Sequence, residues 1–406
     1  MKINNLYIFI SILLLSSFSL SSCKSGNKGG AGSEASSFST SETQVPDSIR
    51  PRISVDYADG FSVEYLSDRK RLVTIQDPQR QNGDVYKLAF IDRGTDRTGI
   101  PEEYSVIEVP VRKSICMTSL QLSNFIKLDA LDFVTGVTST NHLFNTEVAD
   151  RLKEGKIIRI GIEGNFDNEA IMVAQPDLIL ISPFKRGGFD ALKEVGIPLV
   201  PHLGYKEMTP LGQAEWIKFV AILTGQEEKA NKLFKAIADR YNELVAKASA
   251  VKVKPEVFSG EMRGGNWYAV GGKSFLARLF EDAGAEYFLK EDTRSGGVNL
   301  DYETVYSKAA DADFWRIVNS YQGDFDYDAL AGSDNRYTDF KAFRDRKIIY
   351  CNMRLKPFYE SMPVEPEIVL ADLIKIFHPD LLPDYSPKYY ELLEDKKAVD
   401  KNAGRN

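Results

Sequence analysis

Asn165-Phe-Asp-Asn-Glu169-Ala-Ile171 and Asn299-Leu-Asp-Tyr-Glu303-Thr-Val305 carry one pattern, 134 residues apart. Each is followed by an Asp eight residues after its Glu, Asp177 in the first copy and Asp311 in the second. In both, an Asp precedes a run that opens a helix, and the Glu falls in its first turn. A repeat marks one structural unit used twice. A period this long is the size of a domain, so the chain is expected to hold two similar lobes with a cleft between them.

Working outward, strand and helix signals alternate on both sides of each copy. Before the first lie a helical run from Ser119 that ends near Gly136 and the short strand Ile157-Ile-Arg-Ile160. After it come Leu178-Ile-Leu-Ile181, a short helix from Phe189 to Val195, and Leu199-Val200. Uninterrupted apolar runs such as Leu178–Ile181 fit parallel strands covered on both faces. Around the second copy the same alternation runs from Glu256-Val-Phe-Ser259 to the helix Pro366–Phe377. Between the two, Trp216, Phe219, Val220 and Leu223 recur at helical spacing, and Ala230, Leu233, Phe234, Ile237, Tyr241 and Leu244 repeat it. That second stretch reads as an amphipathic helix of about 24 residues, roughly 36 Å long. Upstream, Phe61–Tyr65, Leu72–Ile75, Val85–Ile91 and Tyr104–Val109 are strand signals separated by turn residues.

These readings give an α/β fold: two Rossmann-like lobes, 112–209 and 250–380, joined by a long interlobe α-helix within 210–249. A β-rich N-terminal extension covers 48–111, and a tail covers 381–406.

Residues 1–22 read as a secretory signal, with Lys2 ahead of the apolar run Leu6–Leu15. Leu20-Ser-Ser-Cys23 resembles a bacterial lipobox, which would make Cys23 a lipidated N-terminus. Residues 23–47 are rich in Gly, Ser and Thr and read as a flexible tether. The expected place is the cell envelope, lipid-anchored on the periplasmic side. Without Lys2 the chain keeps 50 basic against 58 acidic side chains, a net −8, which argues against nucleic acid as a partner. Cys116 and Cys351 sit in apolar stretches and read as buried core residues, with a disulfide between them left open.

The two Glu motifs, the helix between the lobes and the lipobox together resemble the siderophore/cobalamin-type substrate-binding proteins of ABC importers, the class with a helical backbone. The resemblance spans about 112–380 and rests also on Gly196-Ile-Pro-Leu-Val200, Leu223-Thr-Gly225, Gly271-Gly-Lys-Ser-Phe-Leu276 and Ala283-Gly-Ala285. The extension is a departure from the family's usual core. The resemblance implies a monomeric carrier for a ferric siderophore, or for cobalamin or haem, that meets an ABC permease. It implies no catalytic step and no permanently bound cofactor, with iron present only inside the ligand. It also implies that Glu169 and Glu303 contact arginines of the permease.

Ligands of open α/β sheets bind beyond the carboxyl ends of the strands. Loops at those positions offer Thr118, Ser119, Asn165, Phe184 and Arg186 in the first lobe. The second lobe offers Arg263, Asn266, Trp267, Tyr268, Arg294, Arg354 and Tyr359. Arginine forks suit carboxylate or catecholate oxygens, and aromatic faces suit planar ligands.

Other chemistries fit less well. The three histidines, His142, His202 and His378, are scattered, unlike the clustered donors of a metal carrier. A cell-envelope hydrolase would need two carboxylates across one bond, and Glu261 has no visible mate in sequence. Gly271-Gly-Lys-Ser274 lacks the earlier glycine of a phosphate loop and reads as a turn opening a helix. A ligand-sensing lipoprotein or a cell-envelope hydrolase is the alternative outside transport.

Overall fold

Four strands open the folded body: β1 (Phe61–Ser67), β2 (Lys70–Gln76), β3 (Val85–Asp92) and β4 (Ser105–Val109), hydrogen-bonded in that order. The structure is a computed structural model that describes residues 51–80, 82–138, 143–162, 165–183, 189–193 and 196–394. The signal, Cys23, the tether, His142, Phe184 and Arg186 lie outside the described residues. All four expected strands of the extension are present.

The first lobe holds β5 (Ser114–Cys116), α1 (Ser119–Lys127), β6 (Val134–Val137), α2 (Thr146–Lys153) and β7 (Ile158–Arg159). It continues through the small hairpin β8 (Gly161–Ile162) and β9 (Asn165–Phe166), α3 (Asn168–Ala174), β10 (Leu178–Ile181), α4 (Phe189–Lys193) and β11 (Leu199–Pro201). Its sheet runs β11-β10-β5-β6-β7, parallel throughout. The apolar periodicity that reads as helix up to Gly136 ends sooner. Helix α1 stops at Lys127, and Val134–Val137 joins the sheet, because a β-branched pair flanking a glycine packs better as a central strand.

Two helices follow, α5 (Pro210–Thr224) and α6 (Glu227–Ser249). The single expected connector is thus split. Gly225 takes a left-handed φ of +71° and closes α5, and a fresh helix starts two residues later. Helix α6 has 23 residues and the expected amphipathic stripe. Helix α5 is different: all of its residues are buried, including Gln213, Glu215 and Lys218. The extension's sheet covers the face that would otherwise meet water. Phe61 packs on Trp216 and Phe219 at 4.8 and 5.8 Å, and Phe90 on Phe219 at 5.9 Å. Two buried carboxylates of this region tie down the entering chain. Glu215 accepts from the amides of Asp56, Tyr57 and Ala58, and Glu207 from those of Asp59 and Gly60.

The second lobe begins with β12 (Glu256–Ser259), β13 (Glu261–Arg263), β14 (Asn266–Val270), α7 (Phe275–Asp282) and β15 (Glu286–Tyr287). Then come β16 (Gly297–Leu300), α8 (Tyr302–Ala309), β17 (Phe314–Asn319), α9 (Tyr327–Ser333), α10 (Lys341–Arg344) and β18 (Ile348–Asn352). The chain closes with α11 (Phe358–Ser361), α12 (Pro366–Phe377) and β19 (Glu391–Leu392). The main sheet is β15-β12-β17-β18-β19, parallel except for β19. Residues beyond 380 are not loose up to 394. Asp372 accepts from the amides of Lys388, Tyr389 and Tyr390, and both of those tyrosines are fully buried.

The sequence repeat is a structural repeat. The order β6-β5-β10-β11 in one lobe matches β15-β12-β17-β18 in the other. Helices α3 and α8 occupy the same place in each, capped by Asp167 and Asp301. The trailing Asp is not equivalent in the two copies. Asp177 directly precedes β10 and accepts from the amide of Arg112 at 2.5 Å, just before β5. The residue that does this in the second lobe is Asp313, which precedes β17 and accepts from Glu256 N at 3.0 Å. Asp311 is exposed. Helix α8 is one residue longer than α3 and leaves through one extra turn residue. Gln175, by contrast, turns left-handed (φ +48°) immediately before Pro176.

The lobes also meet through the C-terminal helices. Glu360 on α11 accepts from Phe144 N at 2.6 Å, and Glu365, ahead of α12, pairs with Lys127 of α1 at 3.3 Å.

Candidate ligand cleft

Two adjoining chambers lie between the lobes, of about 250 and about 800 Å³. They share Gln79, Tyr205 and Ser295–Gly297. The larger is within the usual range for small-molecule sites. It opens among Leu203 and Lys206 of the first lobe, Tyr268 of the second, and Arg80 and Tyr86 of the extension. The smaller is walled by Val270, Phe275, Leu279, Met362 and Val369, with Tyr359 at its edge.

Arg316 reaches into this smaller, mostly apolar chamber. It is the third residue of β17, between the buried Trp315 and Ile317, so the period-2 alternation of the strand turns it away from them. Its Nε and one terminal nitrogen both donate to Tyr390 Oη, at 3.0 and 2.7 Å. Among the described residues no carboxylate is ion-paired with it. Burial acts to lower its pKa, but the Tyr390 and Tyr359 phenols more than offset this, so it stays charged. Glu261 lies near enough to feel it. Burial lifts that carboxyl above its usual range, and Arg263 and Arg316 pull it back only in part. Glu207 also faces the chamber, but its oxygens are occupied by Asp59 N, Gly60 N and Trp216 Nε1. The cleft therefore presents a half-buried guanidinium with spare donors, ringed by tyrosines. That arrangement suits an anionic ligand with planar groups.

Several expected cleft residues lie elsewhere. Trp267 is fully buried. Its Nε1 donates to Ser259 O at 2.9 Å, and its ring packs among Phe258, Trp315, Tyr337 and Phe340, so no face is left for a ligand. Arg263 and Asn266 face each other across a two-residue turn at an exposed hairpin end. Gly264 (φ +57°) and Gly265 (φ +86°) give that turn the twist of its strands. Neither Arg263 nor Asn266 lines a chamber. Arg294 is held outward by Asp292, with Nε to Oδ1 at 3.0 Å, although Ser295–Gly297 just beyond it do line the cleft. Arg354 and Asn165 are exposed and line neither chamber. Thr118 caps α1 in a reciprocal box with Gln121, and Ser119 is that helix's first residue. Of the expected set among the described residues, Tyr268 and Tyr359 reach the chambers.

Arg316, Gln79, Arg80, Tyr86 and Tyr390 went unread in the sequence as cleft residues. A signal existed for Arg316, since a lone cation inside Phe-Trp-Arg-Ile-Val is costly unless it meets a cavity or a partner. The glycines of Gly271-Gly-Lys-Ser274 have a packing cause. A Cβ at Gly271 would lie 2.1 Å from Arg294 O, and one at Gly272 would lie 2.2 Å from Leu289 O. Ser274 then caps α7, as a turn opening a helix requires.

Among the described residues there is no group of three or more His, Cys, Asp or Glu placed to hold a metal ion. His202 is buried against Trp216, and His378 Nε2 sits 3.1 Å from Gly284 O. Cys116 and Cys351 are both buried, and no disulfide joins them or any other described residue. Glu169 and Glu303 are exposed, each the second residue of its helix. No helix among the described residues is long and apolar enough to cross a membrane.

A family model described as periplasmic binding protein matches residues 115–355, more than half of the chain. The chain belongs to the periplasmic binding protein family. It is a substrate-binding protein of the ABC-importer type, a transport component and not an enzyme. One relative of this periplasmic binding protein is an uncharacterised lipoprotein of Methanocaldococcus jannaschii. It is 25% identical over 295 residues, covering 69% of this chain and 68% of the relative. Among solved structures, a periplasmic haem-binding protein from Pseudomonas aeruginosa superposes with a TM-score of 0.55 at 17% identity, over 70% of this chain and 99% of its own. An ABC-type Fe3+-hydroxamate transport protein from Saccharomonospora viridis gives 0.52 at 18% identity, over 66% and 94%. At such identities these two likenesses speak for the fold alone.

Proposed function

We propose that this periplasmic binding protein captures an iron–siderophore complex in the interlobe cleft and delivers it to an ABC permease. Arg316 carries the reading. A half-buried guanidinium with no carboxylate partner among the described residues is costly to keep unless an anion completes it. The oxygens of a ferric chelate supply such an anion, and Tyr205, Tyr268 and Tyr359 offer faces to its organic part. The cargoes named for the haem and Fe3+-hydroxamate relatives fall in the same chemical group. Haem and cobalamin are the alternatives within this fold.

Lipidation at Cys23 would hold the protein on the periplasmic side of a membrane, and the lipoprotein relative supports it. Glu169 and Glu303 would orient the permease, since they are exposed at equivalent places on the two lobes. Helix α6 and the Glu360–Phe144 and Lys127–Glu365 contacts favour small lobe motion on loading.

The test is titration of the chain lacking residues 1–23 with a ferric catecholate, a ferric hydroxamate, ferric citrate, haem and cyanocobalamin. Arg316→Met runs beside it. One ligand is expected to bind at sub-micromolar Kd, and the variant to bind it about 100-fold more weakly, as loss of a bidentate charge-assisted pair of ~3 kcal/mol requires. No binding across the panel refutes the assignment.

A further inference from the structure

We propose that the N-terminal sheet is part of the binding site: residues 77–80 after β2 and 83–86 leading into β3 form a third wall of the cleft, and Arg80 contacts the ligand there. The family match begins at residue 115, so this sheet lies wholly outside it. Yet six of the fourteen described residues that line the larger chamber belong to the extension: Asp77, Gln79, Arg80, Gly83, Asp84 and Tyr86. Gln79 lines the smaller chamber as well.

The wall is fixed in place by named bonds. Asp77 turns the chain by accepting from Gln79 N at 2.9 Å, and Arg80 N donates to Asp77 O at 3.1 Å. Two contacts then fasten it to the first lobe at one residue. Asp77 pairs with Lys206 Nζ at 3.1 Å, and Gln79 Nε2 donates to Lys206 O at 2.8 Å. Behind it, Gln76 N donates to Gly60 O at 3.0 Å, and Glu207 holds the amide of Gly60. Bonds within the body account for Asp77 and for the amide group of Gln79. The Arg80 guanidinium is only loosely engaged, 3.9 Å from Asp77 and mostly exposed. It is a second cation for the ligand, at a chamber rim distinct from that of Arg316. Asp84 stands on the same wall with the opposite charge and repels anionic ligands. The pair makes the extension a reader of ligand charge.

This rests on the carrier reading, and the experiment separates the two. Arg80→Glu and Asp84→Asn are titrated with the same five ligands at low and high salt, beside the native chain and Arg316→Met. Both residues are at the surface, and an unchanged urea midpoint confirms that the variants fold. For an anionic ligand such as ferric citrate, Arg80→Glu is expected to weaken binding about tenfold and Asp84→Asn to tighten it two- to threefold. Both effects should shrink as salt screens them. If both variants bind every ligand within twofold of the native chain while Arg316→Met does not, the wall is scaffolding and this inference is overturned alone. If the native chain binds nothing, the carrier reading fails and the wall falls with it.

Discussion

Replacing Glu215 by Gln would release the start of the folded chain. The carboxylate is fully buried on α5. Oε2 accepts from Tyr57 N at 2.7 Å and Ala58 N at 2.8 Å, and Oε1 takes Lys218 Nζ at 2.7 Å. Asp56 N is shared between the two oxygens. An amide has one oxygen. If it keeps the Tyr57 and Ala58 bonds, its NH2 points at the Lys218 ammonium. If it keeps Lys218, the NH2 points at two backbone donors. Either way a charged pair is broken and donor faces donor in a dry site, at a cost of about 3–5 kcal/mol. Lys218 keeps Ser54 O at 2.8 Å and has Asp56 at 3.8 Å, which puts the expected loss near the low end, about 3 kcal/mol. Local opening of 56–58 should then be about 100-fold more populated. Amide hydrogen exchange reads this at Tyr57 and Ala58, with strand β18 as the internal reference. An acceleration below threefold at those amides would refute the claim that Glu215 anchors the extension.

Glu367 has an oxygen with no hydrogen-bond partner among the described residues, and burial pushes its carboxyl from 4.5 up to about 7. Such a group favours the fold fully below its unfolded pKa, and that contribution is lost as pH rises through about 7. Glu367→Gln should therefore equal the native stability near pH 4 and exceed it by about 2 kcal/mol at pH 8 in urea unfolding; equal differences at both pH values would refute this. Trp267→Phe should cost about 2 kcal/mol of stability through the lost Ser259 bond and packing, and leave ligand Kd within about twofold. A tenfold loss of affinity at unchanged fold would place its ring at the ligand.

The lobes were legible because their signals are local. Leu178–Ile181 and Ile348–Asn352 are apolar runs that parallel strands need, and Asp167 and Asp301 announce the helices that follow them. The cleft was legible only in part. Tyr268 and Tyr359 sit on segments whose position after a strand pointed to the cleft. Trp267, one residue earlier, faces the core instead, since alternate residues of a strand point opposite ways and the sequence does not say which face is covered. Arg294 satisfied the same positional rule, but its side chain found Asp292 two residues away.

By itself, the sequence determined the repeat, the alternation of strands and helices, the amphipathic α6 and the four strands of the extension. Apart from the repeat, which compares two local motifs, these follow from periodicity and capping within about twenty residues. Only the tertiary structure decided that α5 is buried on every side, that Asp313 and not Asp311 completes the repeat, and that Asp77, Gln79, Arg80, Gly83, Asp84 and Tyr86 line the cleft. Each of those depends on which distant segment packs against which. Burial and hydrogen bonding between residues more than a hundred positions apart, such as Tyr57 N to Glu215 or Gln79 to Lys206 O, leave no periodic trace in the chain.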